Sequence, residues 1–113
     1  MSRREAPVPR PQPRTPYRLI ARDRQVLGDW ERLLRTRLDA AIRCSDHLAT
    51  SPTEPIGGRY APMHGELGWC EFRGQRLRQW QWEIDRRGRV KVGIGLDFVV
   101  LMSVSSGHPR ENE

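Results

Sequence analysis

The chain has 113 residues, a net charge of +6 and 36% hydrophobic residues, enough for one domain with a modest core. No apolar run approaches the roughly 20 residues that span a bilayer, and the charged, proline-rich N-terminus lacks the apolar stretch of about 7–15 residues found in secretory signals. The expectation is a cytoplasmic protein with no membrane partner. Nineteen of the twenty basic residues are arginine, with Lys91 the exception. Guanidinium forks match phosphate geometry and stack on bases, so nucleic acid is the expected class of partner.

Residues 1–16 contain five of the nine prolines (Pro7, Pro9, Pro11, Pro13 and Pro16) and four arginines. Alternate prolines remove helical donors, and the segment has little to bury. It reads as an extended, flexible basic tail ahead of a single domain over 17–113. Residues 17–21 (YRLIA) form a short strand candidate. From Asp23, a plausible N-cap, Val26, Leu27, Trp30, Leu33, Leu34, Leu38, Ala41, Ile42 and Leu48 recur at spacings of three and four. This predicts one helix to about Ala49, or a helical hairpin broken within 36–39. Residues 50–62, rich in Pro and Gly, read as a loop.

The remainder predicts an antiparallel meander, with strands over 67–72, 77–84, 89–94 and 98–104. Trp80, Trp82 and Ile84 share one face by period two, as do Val90, Val92 and Ile94. The stretch 98–104 is nearly all apolar and reads as a central strand buried on both faces. Strand, helix or helical hairpin, then meander makes an α+β domain with its helices on one face of the sheet. The other face is left for binding.

On that other face the alternation places Arg89 and Lys91, with Gln79, Gln81 and Glu83 beside them and Arg76 and Arg78 just before. This is a basic, hydrogen-bonding surface, although an ordinary solvated sheet face has the same pattern. The terminal SSGHPRENE adds His108 and Arg110 directly after the last strand. A histidine among arginines suits RNA cleavage, where the 2′-hydroxyl loses a proton, the leaving oxygen gains one and the phosphorane needs positive charge. Glu66, in HGEL, is a possible base. His47 and His64 read as structural or idle. Trp30, Trp80 and Trp82 read as core; Trp69 fits either a core position or base stacking. Cys44 and Cys70 lie in no CxxC pair and no zinc-like spacing, so no disulfide, metal or cofactor is expected.

Three segments carry a family resemblance: YRLIARDRQVLGDWERLL, RYAPMHGELGW and EIDRRGRVKVGIGLDFVVLMSVSSGHPRENE. Together they resemble the RelE/ParE superfamily of bacterial type II toxins, over about residues 17–110. The resemblance implies a RelE-like α+β toxin that inhibits growth and is neutralised by a cognate antitoxin. RelE-like members cleave mRNA on the ribosome without metal or cofactor, leaving a 2′,3′-cyclic phosphate; ParE-like members instead inhibit DNA gyrase. By the resemblance Arg89 contacts the scissile phosphate, His108 is the general acid or base, Arg110 stabilises charge and Glu66 assists as base. Arg76, Arg78 and Lys91 would hold the RNA backbone. A non-catalytic nucleic-acid-binding module is the further alternative. The stretch between Gly65 and Gly88 is longer than the resemblance calls for, with room for an extra hairpin.

Overall fold

The structure is a computed structural model that describes residues 6–8 and 16–105. The order is β1 (Arg18–Ala21), α1 (Arg24–Thr36), α2 (Leu38–Thr50), β2 (Tyr60–Pro62), a 3-10 turn (Gly65–Gly68), β3 (Trp69–Phe72), β4 (Gln75–Glu83), β5 (Arg89–Ile94) and β6 (Phe98–Ser105). Most of the 1–16 tail, and both His108 and Arg110, lie outside the described residues. Among those described, no helix is long and apolar enough to cross a membrane.

The helical stretch is a hairpin. Asp23 caps α1 by accepting the Val26 N–H at 2.9 Å, and that bond holds its carboxyl below the usual range. Arg37, with φ −140° and ψ 58°, breaks the helix inside the expected interval, and its N–H returns to the Leu33 carbonyl at 2.7 Å. The two helices then present Val26, Leu33, Ala41, Cys44 and Leu48 to one face of the sheet.

The sheet runs β1-β6-β5-β4-β2, and β3 pairs with the other half of the β4 edge. Every pairing is antiparallel except β1–β6, which is parallel and joins the first strand to the last. Trp80, Trp82, Ile84, Val90, Val92, Val99, Leu101 and Val104 join the helices in the main core. Strand β6 is buried on both sides, as its composition predicts, since Val100 and Met102 enter a second cluster on the opposite face. Alternation produces this split, and a bulge then returns Val104 to the helix side. Lys91 faces Ser103 while Val92 faces Leu101, which leaves Met102 as the extra residue.

Three elements differ from the sequence expectation; β4 begins at Gln75 rather than Leu77. Residues 60–62 are an edge strand rather than loop, drawn into the sheet because the Tyr60 ring is buried against Trp80 and its hydroxyl donates to the Pro52 carbonyl at 2.6 Å. Strand β3 begins at Trp69, not Leu67, because Gly65 has a φ of +63° and opens a 3-10 turn. The β3–β4 hairpin closes on Arg73 and Gly74, both with positive φ, the backbone that a tight two-residue hairpin needs.

The two cysteines sit on opposite sides of the sheet, Cys44 in the helix-side core and Cys70 against the second cluster. Burial pushes the Cys44 thiol up to about 12, so it is a core residue and not a nucleophile. Gly93 lies where the strands crowd this second cluster. A Cβ there would sit 2.7 Å from Cys70 Sγ and 3.2 Å from both Leu77 Cδ1 and Val100 Cγ1. A Gly93→Val variant is expected to lose about 2–3 kcal/mol, read as a lower urea midpoint with an unchanged slope.

Candidate functional site

The sheet face away from the helices divides into an apolar part and a polar part. The apolar part is Phe72, Leu77, Val100 and Met102, with Ile20, Cys70 and Phe98 around it. The polar part lies towards the β4–β5 turn. There the register sets Glu83 across from Arg89 and Gln81 across from Lys91. On the other side of β5, Ser105 faces Arg89 and Ser103 faces Lys91. Period-two alternation in β4, β5 and β6 brings these groups together, so Arg89 and Lys91 share one water-facing surface.

Arg89 is not a loose side chain. Its Nη1 donates to the Asp85 carbonyl at 2.8 Å and the Gly88 carbonyl at 3.0 Å. Its Nη2 lies 3.7 Å from Glu83 Oε1. One edge of the guanidinium is therefore fixed to the turn, and the other faces a partly exposed carboxylate. Gln79 departs from the expected open surface. It is buried, and its Nε2 donates to the Leu67 carbonyl at 2.7 Å, clamping the 3-10 turn onto the sheet.

That turn forms one wall of a cavity of about 410 Å³ beside the polar patch, lined in part by His64, Leu67, Gln81 and Glu83. His64, which reads as idle in the sequence, thus shares a cavity with two residues of the polar face. Its only sequence signal is its place beside Gly65 in HGEL. Glu66 is exposed on the same turn and does not line the cavity. His47 is structural: its Nε2 sits 2.7 Å from the Glu54 carbonyl oxygen and its ring packs on Tyr60 and Trp82. Among the described residues, no group of three or more His, Cys, Asp or Glu side chains is arranged to hold a metal ion.

Arg76 and Arg78 do not join this patch. They have the same parity in β4 as Trp80 and Trp82, and so lie on the helix side of the sheet, out on the β3–β4 hairpin. There they stack on Trp69, with guanidinium carbons 4.4 Å and 5.0 Å from its ring centroid.

Asp85 organises the turn that carries Arg89. It accepts the Gly88 N–H at 2.7 Å and the Arg87 N–H at 3.0 Å, and it pairs with Arg37 from the helix break. The Gly88 N–H first, then Arg37 and the Arg87 N–H, hold its carboxyl well below the usual carboxylate range. A lowered folded-state pKa means that its contribution is present above the unfolded value of about 3.9 and is lost as pH falls below it. The side chain is 36% exposed, so solvent screening reduces the effect. Asp85→Asn is expected to lower stability by about 1 kcal/mol at neutral pH. The difference from the parent chain should shrink below roughly pH 4, read from urea midpoints across pH.

No protein-family model and no curated protein matches the chain. Solved structures do. The YoeB dimer from Staphylococcus aureus superposes with a TM-score of 0.56 at 9% identity, and the YoeB–YefM complex from the same organism with 0.56 at 10%. Each covers 81% of this chain and 98% of the other. The YoeB/ParE toxin from Agrobacterium tumefaciens superposes with 0.52 at 17% identity, covering 81% of this chain and 99% of that one. At such identities the likeness is one of architecture: the α+β fold of this chain, two helices on one face of a mixed six-stranded sheet, is that of these YoeB and YoeB/ParE toxin structures.

Proposed function

We propose that this protein is the toxin of a toxin–antitoxin pair and acts as a metal-free endoribonuclease on mRNA at the ribosome. The observation that carries the reading is the pairing of Arg89 and Lys91 on the water-facing side of the sheet, with Ser105, the last residue of β6, directly across from Arg89. The chain beyond Ser105 therefore starts beside Arg89. In this reading Arg89, with Arg110, stabilises the phosphorane, Lys91 holds the RNA backbone and His108 transfers the proton. The 2′-oxygen attacks phosphorus, the 5′-oxygen leaves with a proton, and a 2′,3′-cyclic phosphate remains. Glu66, on the rim of the 3-10 turn, is the weaker candidate base, since His64 and Glu83 line the neighbouring cavity and it does not.

The fold also supports a cognate antitoxin as partner, because a YoeB of this architecture is found in complex with YefM. Induction of the chain in cells, followed by primer extension on mRNA, tests the reading. New 5′ ends with normal plasmid supercoiling are the expected result. Intact mRNA would sink it.

One observation favours a second reading. The Arg89 guanidinium already bonds two turn carbonyls, as a structural arginine does. A ParE-like, non-enzymatic gyrase inhibitor would need no more of it than that. Lost supercoiling with uncut mRNA selects this alternative. Neither effect, together with salt-sensitive RNA or DNA binding, selects a plain nucleic-acid-binding module.

A further inference from the structure

We infer that the β3–β4 hairpin is a separate binding surface for single-stranded RNA, built by Arg76 and Arg78 on the indole of Trp69. It lies on the opposite side of the sheet from Arg89 and Lys91. The choice of RNA over DNA rests on the nuclease reading; the site itself does not.

Strand register makes the cluster. Trp69 pairs with Arg78, and Arg76 lies one repeat along on the same face. Both guanidinium carbons lie within 5.0 Å of one ring centroid. A guanidinium held over a ring keeps N–H groups available for a phosphate fork, and neither Arg76 nor Arg78 spends one on a protein hydrogen bond among the described residues. Trp69 is 38% exposed, an unusual state for a large ring on a sheet, and Leu67 beside it is 60% exposed. Among the described residues no carboxylate lies within ion-pair distance of Arg73, Arg76 or Arg78. Two like charges thus converge on one ring with no described carboxylate in ion-pair contact, although Glu71 faces Arg76 in the register, an arrangement that an anionic ligand stabilises. Arg73, at the hairpin tip, lies over Phe72 at 4.9 Å, on the opposite face of the hairpin from this cluster.

A phosphodiester strand satisfies each part of this surface. Its non-bridging oxygens take the forks, and an unpaired base can stack on the guanidiniums or on the part of the indole they leave exposed. Duplex bases, stacked on each other, cannot reach the ring. An acidic peptide would meet the charge but has no flat ring to stack on this cation–indole cluster.

The test is fluorescence anisotropy of the full chain with a labelled 12-nucleotide single-stranded RNA, its DNA counterpart and a 12-residue glutamate peptide. Arg76→Ala/Arg78→Ala is expected to weaken RNA binding about tenfold or more and to flatten the salt dependence by about 1.4 in log–log slope, two phosphate contacts' worth. Trp69→Ala should weaken binding by roughly 5- to 100-fold, with Trp69→Phe between it and the parent chain. Arg76→Lys/Arg78→Lys keeps the charge without the fork and should recover only part of the loss. Binding by the double alanine variant within twofold of the parent chain overturns the surface, and so does tighter binding of the glutamate peptide than of RNA. Equal affinity for DNA overturns the choice of RNA. The two proposals fail separately. Undiminished binding in the double variant of a chain that cleaves mRNA removes only this surface. Loss of binding in the double variant of a chain that never cleaves mRNA removes only the nuclease.

Discussion

Arg89→Ala is expected to lower RNA cleavage by about 100- to 1000-fold, the usual effect of removing one preorganised donor from a developing charge. The geometry makes Arg89 suited to that role. Its Nη1 is fixed by the Asp85 and Gly88 carbonyls, so the plane of the guanidinium is set before any substrate arrives. Its Nη2 faces Glu83 at 3.7 Å, a long and exposed contact that a phosphate can displace at little cost. Arg89→Lys keeps a charge and loses the fork, so it should recover little activity. The same turn bonds mean that Arg89→Ala also loses about 1 kcal/mol of stability, which urea unfolding will report separately. His108→Ala should lose cleavage with no such stability change. Full cleavage and full growth inhibition in Arg89→Ala would leave Arg89 as a brace for the β4–β5 turn and nothing more.

The largest stability effect is expected at Trp82. Its ring is 3% exposed, and the residue pairs with Tyr60 on one side and Val90 on the other. The Tyr60 ring lies 5.5 Å from it and the His47 ring 5.6 Å. Trp82 therefore joins α2, the edge strand β2 and the centre of the sheet. Truncation to alanine removes its buried area and leaves a cavity among aromatic rings that cannot easily collapse. The expected loss is about 3–5 kcal/mol, a large share of the roughly 5–15 kcal/mol that holds a domain together. Thermal unfolding should move down by about 15 °C or more. Trp82→Phe, which keeps an aromatic ring, should lose much less. A drop of only a few degrees in Trp82→Ala would show that β2 and α2 are docked mainly by other contacts.

Local pattern was sufficient for the elements whose environment is one-sided. The three-and-four spacing from Val26 to Leu48 reports a buried helical stripe because only one side of each helix meets the sheet. Period two in RVKVGI separates Val90 and Val92 from Arg89 and Lys91 for the same reason. A run without alternation, FVVLM, marks the strand with neighbours on both sides and cover on both faces. The α+β class, the open polar part of the second sheet face and the Arg89–Lys91 pair were all legible on these grounds.

The tertiary structure alone decided how distant segments meet. Arg76 and Arg78 share the parity of Trp80 and Trp82, which already sets them on the other side of the sheet from Arg89, but only the pairing of β3 with β4 puts them on Trp69. Gln79 looks like a surface residue until the 3-10 turn folds over it and takes its amide. His64 gains a place near Glu83 only because β2 pairs with the far half of β4. Periodicity follows from the geometry of a single strand or helix, so a sequence carries it directly. Register, bulges and the docking of turns depend on which strands become neighbours, and no residue encodes that choice by itself.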